Sequence, residues 1–180
     1  MDREKLMPIT LLMLDVDGVL TDGTIIYSDS GEEIKAFNVR DGHGIKLVMR
    51  AGIEVVLLTA RESKVVGHRA RDLGITGVYQ KATDKLAAYS GILAEKKIQD
   101  RNVLFVGDDI IDIPVLRRVG FSASVADAVP EVKAVVDYVA SQAGGKGAVR
   151  EVCELVLKAQ NKWERVTEKY ALPRDSSRCT

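Results

Sequence analysis

Apolar runs of strand length alternate along this chain with longer segments of helical period. "ITLLMLDV", "EVVLLTA", "GVYQ", "NVLFVGD", "FSASVA" and "YVA" read as strands. Between them "GIKLVMRAG", "SKVVGHRARDLG", "DKLAAYSGILAEKKI", "DIPVLRRVG", "PEVKAVV" and "GAVREVCELVLKAQNKWERV" read as helices, several closed by a glycine (Gly52, Gly74, Gly120). Strands that are apolar throughout are buried on both faces, which marks a parallel sheet covered by helices. The alternation therefore predicts a three-layer α/β/α fold. One segment departs from it. "GTIIYSDSGEEIKAFNV", Gly23 to Val39, holds two short β-like runs around "SDSG" and reads as a hairpin, a flap standing after the first strand. In the final helix Val152, Leu155, Val156, Ala159 and Trp163 recur at helical intervals, a stripe to pack on the sheet or on a partner subunit. Residues 171–180, polar and Pro-containing, read as a frayed tail.

At 180 residues the chain suits a single domain spanning 1–180. Lys plus Arg and Asp plus Glu both total 26, so no basic field favours nucleic acid. The start has too short an apolar run for a signal peptide, and no stretch approaches a membrane span. Cys153 and Cys179 stand far apart, without metal or disulfide spacing, and a cytoplasmic setting is the default expectation.

The chemistry gathers at the strand ends, where open α/β sheets bind their ligands. The first strand runs into Asp15-Val16-Asp17-Gly18, the second ends at Thr59 followed by Arg61, and the fourth ends in Asp108-Asp109 with Asp112 a turn beyond. Lys85 opens the helix after the third strand. Two carboxylates beside an apolar run need a counter-charge, and Asp15, the Asp17 carbonyl and Asp108 offer three oxygens to a hard cation such as Mg²⁺. An ionised Asp15 facing phosphorus can attack it and form an aspartyl phosphate. Asp17, two residues on in an extended chain, faces the same way and reaches the leaving oxygen, which suits a general acid and then a general base. Lys85 and Thr59 answer the charge on the phosphoryl group, and Asp109 and Asp112 remain to orient Lys85 or the ion's waters. Singly, each feature has an ordinary reading as a turn aspartate, a strand threonine or a surface lysine. Together, in order, they point to phosphoryl transfer.

"LDVDGVLTDG", "LLTARES", Asp84-Lys85 and "VGDDIID" resemble the four motifs of the haloacid dehalogenase superfamily of phosphatases. "NVRDGHGIKL", "RARDLGI", "VADAVPEVK" and "GGKGAVREVCELVL" are similar to the family of 3-deoxy-D-manno-octulosonate 8-phosphate (KDO-8-phosphate) phosphatases, a likeness running from about Leu11 to Tyr170. The resemblance implies a Rossmann-like parallel sheet, an Mg²⁺ site of Asp15, Asp17 and Asp108, and catalysis by Asp15, Asp17, Thr59 and Lys85. It places Asn38, Val39, Arg40, Asp41 and Gly42, with Arg61 and Arg69, around the substrate beside Asp17 and Lys85. It further implies a homotetramer serving lipopolysaccharide synthesis, while the residues themselves do not choose among Mg²⁺, Mn²⁺ and Co²⁺. Ala60 departs from the family's usual glycine.

Neither the segment from Asp17 to Asp41 nor that from Thr59 to Lys85 has room for a cap domain of about 50 residues. A capless site for a small sugar phosphate needs a neighbouring subunit to exclude water. The expectation is that hairpin 23–39 packs against copies of itself and that a neighbour's Gly-rich motif, 144–151, closes the pocket. Arg40, Arg61 and Arg69 are the cations suited to a sugar acid's carboxylate, with Lys146 and Arg150 weaker candidates. Of the two histidines, His43 and His68, His43 lies in the loop after the flap and reads as a satisfied polar residue before a substrate contact. The alternatives are a phosphatase of a nine-carbon keto-sugar acid 9-phosphate, against which Arg61 argues, and a catalytically silent oligomerisation domain, which is expected to lack Asp15, Asp17 or Lys85. A receiver domain shares the residue types but has them on the wrong strands.

Overall fold

Hydrophobic strand β1 (Leu11–Leu14) is buried at every position and lies at the centre of a six-stranded sheet. The computed structural model describes residues 3–171, so Cys179 and the tail expected at 171–180, beyond Ala171 itself, lie outside the described residues. The other strands are β4 (Glu54–Leu58), β5 (Gly77–Tyr79), β6 (Val103–Gly107), β7 (Phe121–Ser124) and β8 (Tyr138–Val139). They run parallel in the order β5-β4-β1-β6-β7-β8. This is the expected Rossmann-like sheet. The chain builds outward from β1 on one side and then on the other, so β1 stands where the winding reverses. Such a point opens a crevice at the carboxyl ends of the strands.

Register decides which residues meet there. Leu14 pairs with Leu57 on β4 and with Val106 on β6. The residues just past those pairs, Asp15, Thr59 and Asp108, therefore emerge side by side.

The helices are α1 (Val39–Arg50), α2 (Lys64–Leu73), α3 (Lys85–Lys96), α4 (Ile113–Leu116), α5 (Pro130–Lys133), α6 (Ala148–Ala159) and α7 (Trp163–Thr167). Helix α1 starts five residues before the expected "GIKLVMRAG", because the Asn38 side chain accepts from the Arg40 amide and caps it. His43 is consequently on a helix and not in a loop. Helices α1 and α6 pack closely because Gly44 has no side chain; a Cβ there would lie 3.0 Å from Arg150 Cδ and 3.2 Å from Cys153 Cβ. The expected single tail helix is two, since Asn161 takes φ 54 between α6 and α7. Gly52 and Gly74 end their helices with φ of 80 and 78, but Gly120 serves otherwise: a Cβ there would meet the Arg101 backbone at 2.6 Å.

The hairpin exists as β2 (Ile26–Tyr27) and β3 (Glu33–Ile34), paired antiparallel as Ile26 with Ile34 and Tyr27 with Glu33. Its strands are shorter than expected, and Ile25, Ile26, Tyr27 and Ile34 are exposed in the single chain.

Candidate active site

After Leu14 the chain leaves the sheet. The Val16 carbonyl accepts from the Val19, Leu20 and Thr21 amides, and Thr21 Oγ1 accepts from Gly18 and Gly23. This tight turn, centred on the buried Thr21, corrects the expectation that Asp17 continues an extended strand in line with Asp15. Gly18 takes φ +88, and a Cβ on it would lie 2.0 Å from Asp108 Oδ2, so only glycine lets the two strand ends approach this closely.

Lys85 opens α3 with its ammonium buried, bonded to Asp112 Oδ1 at 2.6 Å and to Asp15 Oδ2 at 2.9 Å. Asp112 uses its other oxygen to accept from the Asp108 amide at 3.0 Å and the Asp109 amide at 3.4 Å. It reaches this place because Gly107 has no side chain; a Cβ would stand 2.6 Å from that of Asp112. One carboxylate thus holds both the lysine and the loop that presents Asp108. Asp109, exposed, instead caps Ile110 through its side chain and does not reach Lys85.

The carboxylates of Asp15, Asp108 and Asp112 offer oxygens all within 4.8 Å of one another. Asp108 Oδ1 is buried without a hydrogen-bond partner. Burial, and then the charge of Asp112, push Asp15 up to about 7 against the pull of Lys85. Burial, then Asp15 and Asp112, push Asp108 up to about 8. Burial lowers Lys85, but Asp15 and Asp112 outweigh it and its net shift is upward. Crowded, desolvated anions with an unpartnered oxygen fit a hard divalent cation, which takes oxygen ligands. Asp112 joins Asp15 and Asp108 in this cluster, whereas Asp17 was counted through its backbone carbonyl. Asp17 turns its side chain to Lys35 and to Arg61, whose Nε is 3.8 Å from Asp17 Oδ2.

Thr59 is buried at the end of β4, and its hydroxyl accepts from the Arg61 amide at 3.3 Å. Ala60 lies outside the left-handed region, so its methyl costs the loop no backbone strain. Arg61 reaches Glu33 at 3.2 Å and the Tyr27 hydroxyl at 3.2 Å, tying the hairpin to this edge.

Of the expected substrate contacts, Val39 and Arg40 are exposed at the start of α1, and the Asn38 amide donates to the Gly145 carbonyl at 3.2 Å. Asp41 and Gly42 are both buried. Asp41 accepts from the Arg150 amide at 2.8 Å at the start of α6, and burial raises its pKa; Gly42 lies under the Arg69 guanidinium, 2.3 Å from where a Cβ would be. The second oxygen of Asp41, Oδ2, is buried without a hydrogen-bond partner. Arg69 bonds the Asn38 carbonyl at 3.2 Å and stacks over Phe37 at 5.6 Å. His43 meets the Tyr170 hydroxyl at 3.0 Å and Arg150 at 3.4 Å, while His68 meets Arg71 at 2.6 Å.

The Gly-rich motif lies against its own chain. A Cβ on Gly144 would fall 1.8 Å from the Gly18 carbonyl oxygen, and the Gly145 amide donates to Val19 at 2.9 Å. The segment is thus seated on the turn that follows Asp15. Sequence reasoning missed Lys35 and Thr21; the lysine gave a signal, being a charge inside the β-like run "EEIKAF".

Residues 72–152 match the family model for haloacid dehalogenase-like hydrolases. The 3-deoxy-D-manno-octulosonate 8-phosphate phosphatase of Escherichia coli is 53% identical over 154 residues, covering 86% of this chain and 82% of that one. The crystal structure of the phosphatase of that name from Yersinia pestis matches with a TM-score of 0.88 at 48% identity, over 90% of this chain and 88% of that one. The one from Moraxella catarrhalis, in complex with a magnesium ion, a phosphate ion and a KDO molecule, matches with a TM-score of 0.91 at 41% identity, over 93% and 97%.

Proposed function

The chain belongs to the 3-deoxy-D-manno-octulosonate 8-phosphate phosphatase family of haloacid dehalogenase-like hydrolases, and from that premise we propose that it releases inorganic phosphate from that sugar phosphate. The observation that carries the reading is the buried cluster in which Lys85 joins Asp15 to Asp112 while Asp108 stands within 4.8 Å. A nucleophile, its electrostatic partner and a cation site coincide at the edge where the sheet's winding reverses.

Asp15 is the nucleophile and Asp17 the acid and base. Asp15 and Asp108 would hold Mg²⁺, with Asp17 contributing as the family pattern implies, and the ion would supply neutralisation of the negative charge there. Lys85 keeps its place through Asp112 and presents its charge to the transferring group, which Thr59 also hydrogen-bonds. Asp17 gives its proton to the sugar oxygen as the phosphorus–oxygen bond breaks. It later takes one from the water that splits the aspartyl phosphate. Arg61 and Arg69, with Asn38, Val39 and Arg40, face the sugar acid, and the fork of Arg61 suits its carboxylate.

The working form is a homotetramer in the cytoplasm, contributing to lipopolysaccharide synthesis. A hairpin of two-residue strands is marginal alone, and its exposed Ile25, Ile26, Tyr27 and Ile34 favour packing against copies of itself. No helix among the described residues is long and apolar enough to cross a membrane. The test is phosphate release from the eight-carbon 8-phosphate and from a nine-carbon keto-sugar acid 9-phosphate, each with Mg²⁺ and with chelator. Preference for the eight-carbon substrate, lost on chelation, is expected; preference for the other would transfer the assignment to the nine-carbon alternative.

A further inference from the structure

The ammonium of Lys35 is an unusual group for a surface flap. It sits just past β3, and its side chain is 0% exposed. Burying an ammonium costs several kcal/mol unless it is paired. Here it is paired twice, with Asp17 Oδ1 and with Glu33 Oε1 at 3.3 Å. Glu33 in turn holds Arg61, so two carboxylates and two cations form one neutral cluster joining the hairpin to the turn after β1.

The two oxygens of Asp17 are not equivalent in this cluster. Oδ1 is held by the buried lysine. Oδ2 faces the Nε of Arg61, at 3.8 Å, beyond hydrogen-bonding distance, on a side chain 41% exposed. A substrate can move the arginine far more cheaply than the lysine, so Oδ2 is the oxygen free to exchange a proton.

We propose that Lys35 is the positioning residue for Asp17: it fixes Oδ1 and so assigns proton transfer to Oδ2. The inference rests on the reading of Asp17 as acid and base. As a carboxylate oxygen of Asp15 bonds to phosphorus and the bond from phosphorus to the sugar oxygen breaks, the proton on Oδ2 passes to that oxygen. The charge then appearing on Asp17 meets an ammonium already in place. In the second half Oδ2 takes a proton from water, the water oxygen bonds to phosphorus, and the bond to Asp15 breaks. Because the lysine enters with the hairpin, Asp17 is correctly set only while the flap is docked.

The test compares leaving groups. The sugar alkoxide needs a proton, whereas 4-nitrophenolate leaves without one. Lys35→Met is expected to lower kcat/KM, which covers only the steps up to departure of the leaving group, by about 10²-fold on KDO-8-phosphate, the scale of general acid catalysis, and on 4-nitrophenyl phosphate by on the order of tenfold less than that. Equal losses on the two substrates, or no loss on either, would overturn the proposal. Lys35→Gln, which keeps a donor toward Asp17 without the charge, carries the same comparison should the methionine variant not fold. Asp17→Asn separates the two levels. If it shows the leaving-group selectivity and the Lys35 variants do not, only the role of Lys35 fails; if it shows none, the acid/base reading of Asp17 fails with it.

Discussion

Replacing Asp112 removes the one carboxylate that serves both Lys85 and the Asp108 loop. Its side chain is fully buried and satisfies the Lys85 ammonium at 2.6 Å and the amide of Asp108 at 3.0 Å. Two effects of its loss oppose each other. Removing an anion from beside Asp15 and Asp108 relieves repulsion, whereas the buried ammonium and the amide lose their acceptor. At pH 6 and without metal the second dominates, because Asp15 and Asp108, raised to about 7 and about 8, are mostly protonated and have little repulsion left to relieve. Breaking one side of a buried pair costs about 3–5 kcal/mol. Asp112→Asn keeps an oxygen and loses the charge, so about 1.5–3 kcal/mol is expected for it. The assay is urea unfolding at pH 6 with chelator, followed by the fluorescence of Trp163, the chain's single tryptophan. Asp112→Ala should lose the larger amount, and adding Lys85→Met should recover at least about 1 kcal/mol of it, since the unpaired ammonium is then gone. An alanine variant within about 0.5 kcal/mol of wild type, or a double variant showing strict additivity, would refute the reasoning.

The raised carboxylates make metal and pH act together. The folded, metal-free protein holds protons on Asp15 and Asp108 that the unfolded chain releases above the ordinary carboxylate value of 3.8, so their contribution to stability is complete below that value and is lost as pH rises through about 7 and about 8. Metal-free protein should therefore melt lower at pH 9 than at pH 6, and Mg²⁺ should largely restore it; calorimetry at pH 7 in two buffers of different ionisation enthalpy should show protons released on binding, and their absence counts against a site at these acids. Gly144→Ala should cost at least about 1–3 kcal/mol and lower turnover, because its methyl would fall 1.8 Å from the Gly18 carbonyl oxygen; thermal melting and phosphate release check it, and an unchanged melting temperature contradicts the placement of the Gly-rich segment.

Much of this arrangement was legible in the chain. The parallel sheet follows from "LLML" and "VLFVG", apolar at nearly every position, because strands covered on both faces need no polar alternation. The acids followed too, since a charge at the end of such a run has few structural uses. What stayed hidden depends on contacts distant in sequence. The turn after β1 is set by Thr21, whose hydroxyl closes it, and strand periodicity does not register a side chain that bonds backbone. Asp41 entered as a substrate contact only through resemblance, and nothing local in the sequence shows that one of its oxygens accepts from the Arg150 amide near the start of α6, more than a hundred residues on. Lys35 stood in a short β-like run where a lysine is ordinarily a solvated edge residue, and only the folded turn carrying Asp17 makes it buried. Asp112 was legible as a partner of Lys85 by elimination, but its second task, holding the Asp108 loop, needs Gly107 to bring it close.

The central claim, a covalent phosphoryl group on Asp15, is open to direct trapping. Rapid acid quenching during turnover of KDO-8-phosphate, followed by borohydride reduction and peptide mass spectrometry, converts an aspartyl phosphate into homoserine at the residue that carried it. The account expects homoserine at position 15 in wild type and in Lys35→Met, and none in Asp15→Asn, which should also be inactive. Homoserine at another aspartate, or turnover that leaves the chain unmodified at every time point, contradicts it.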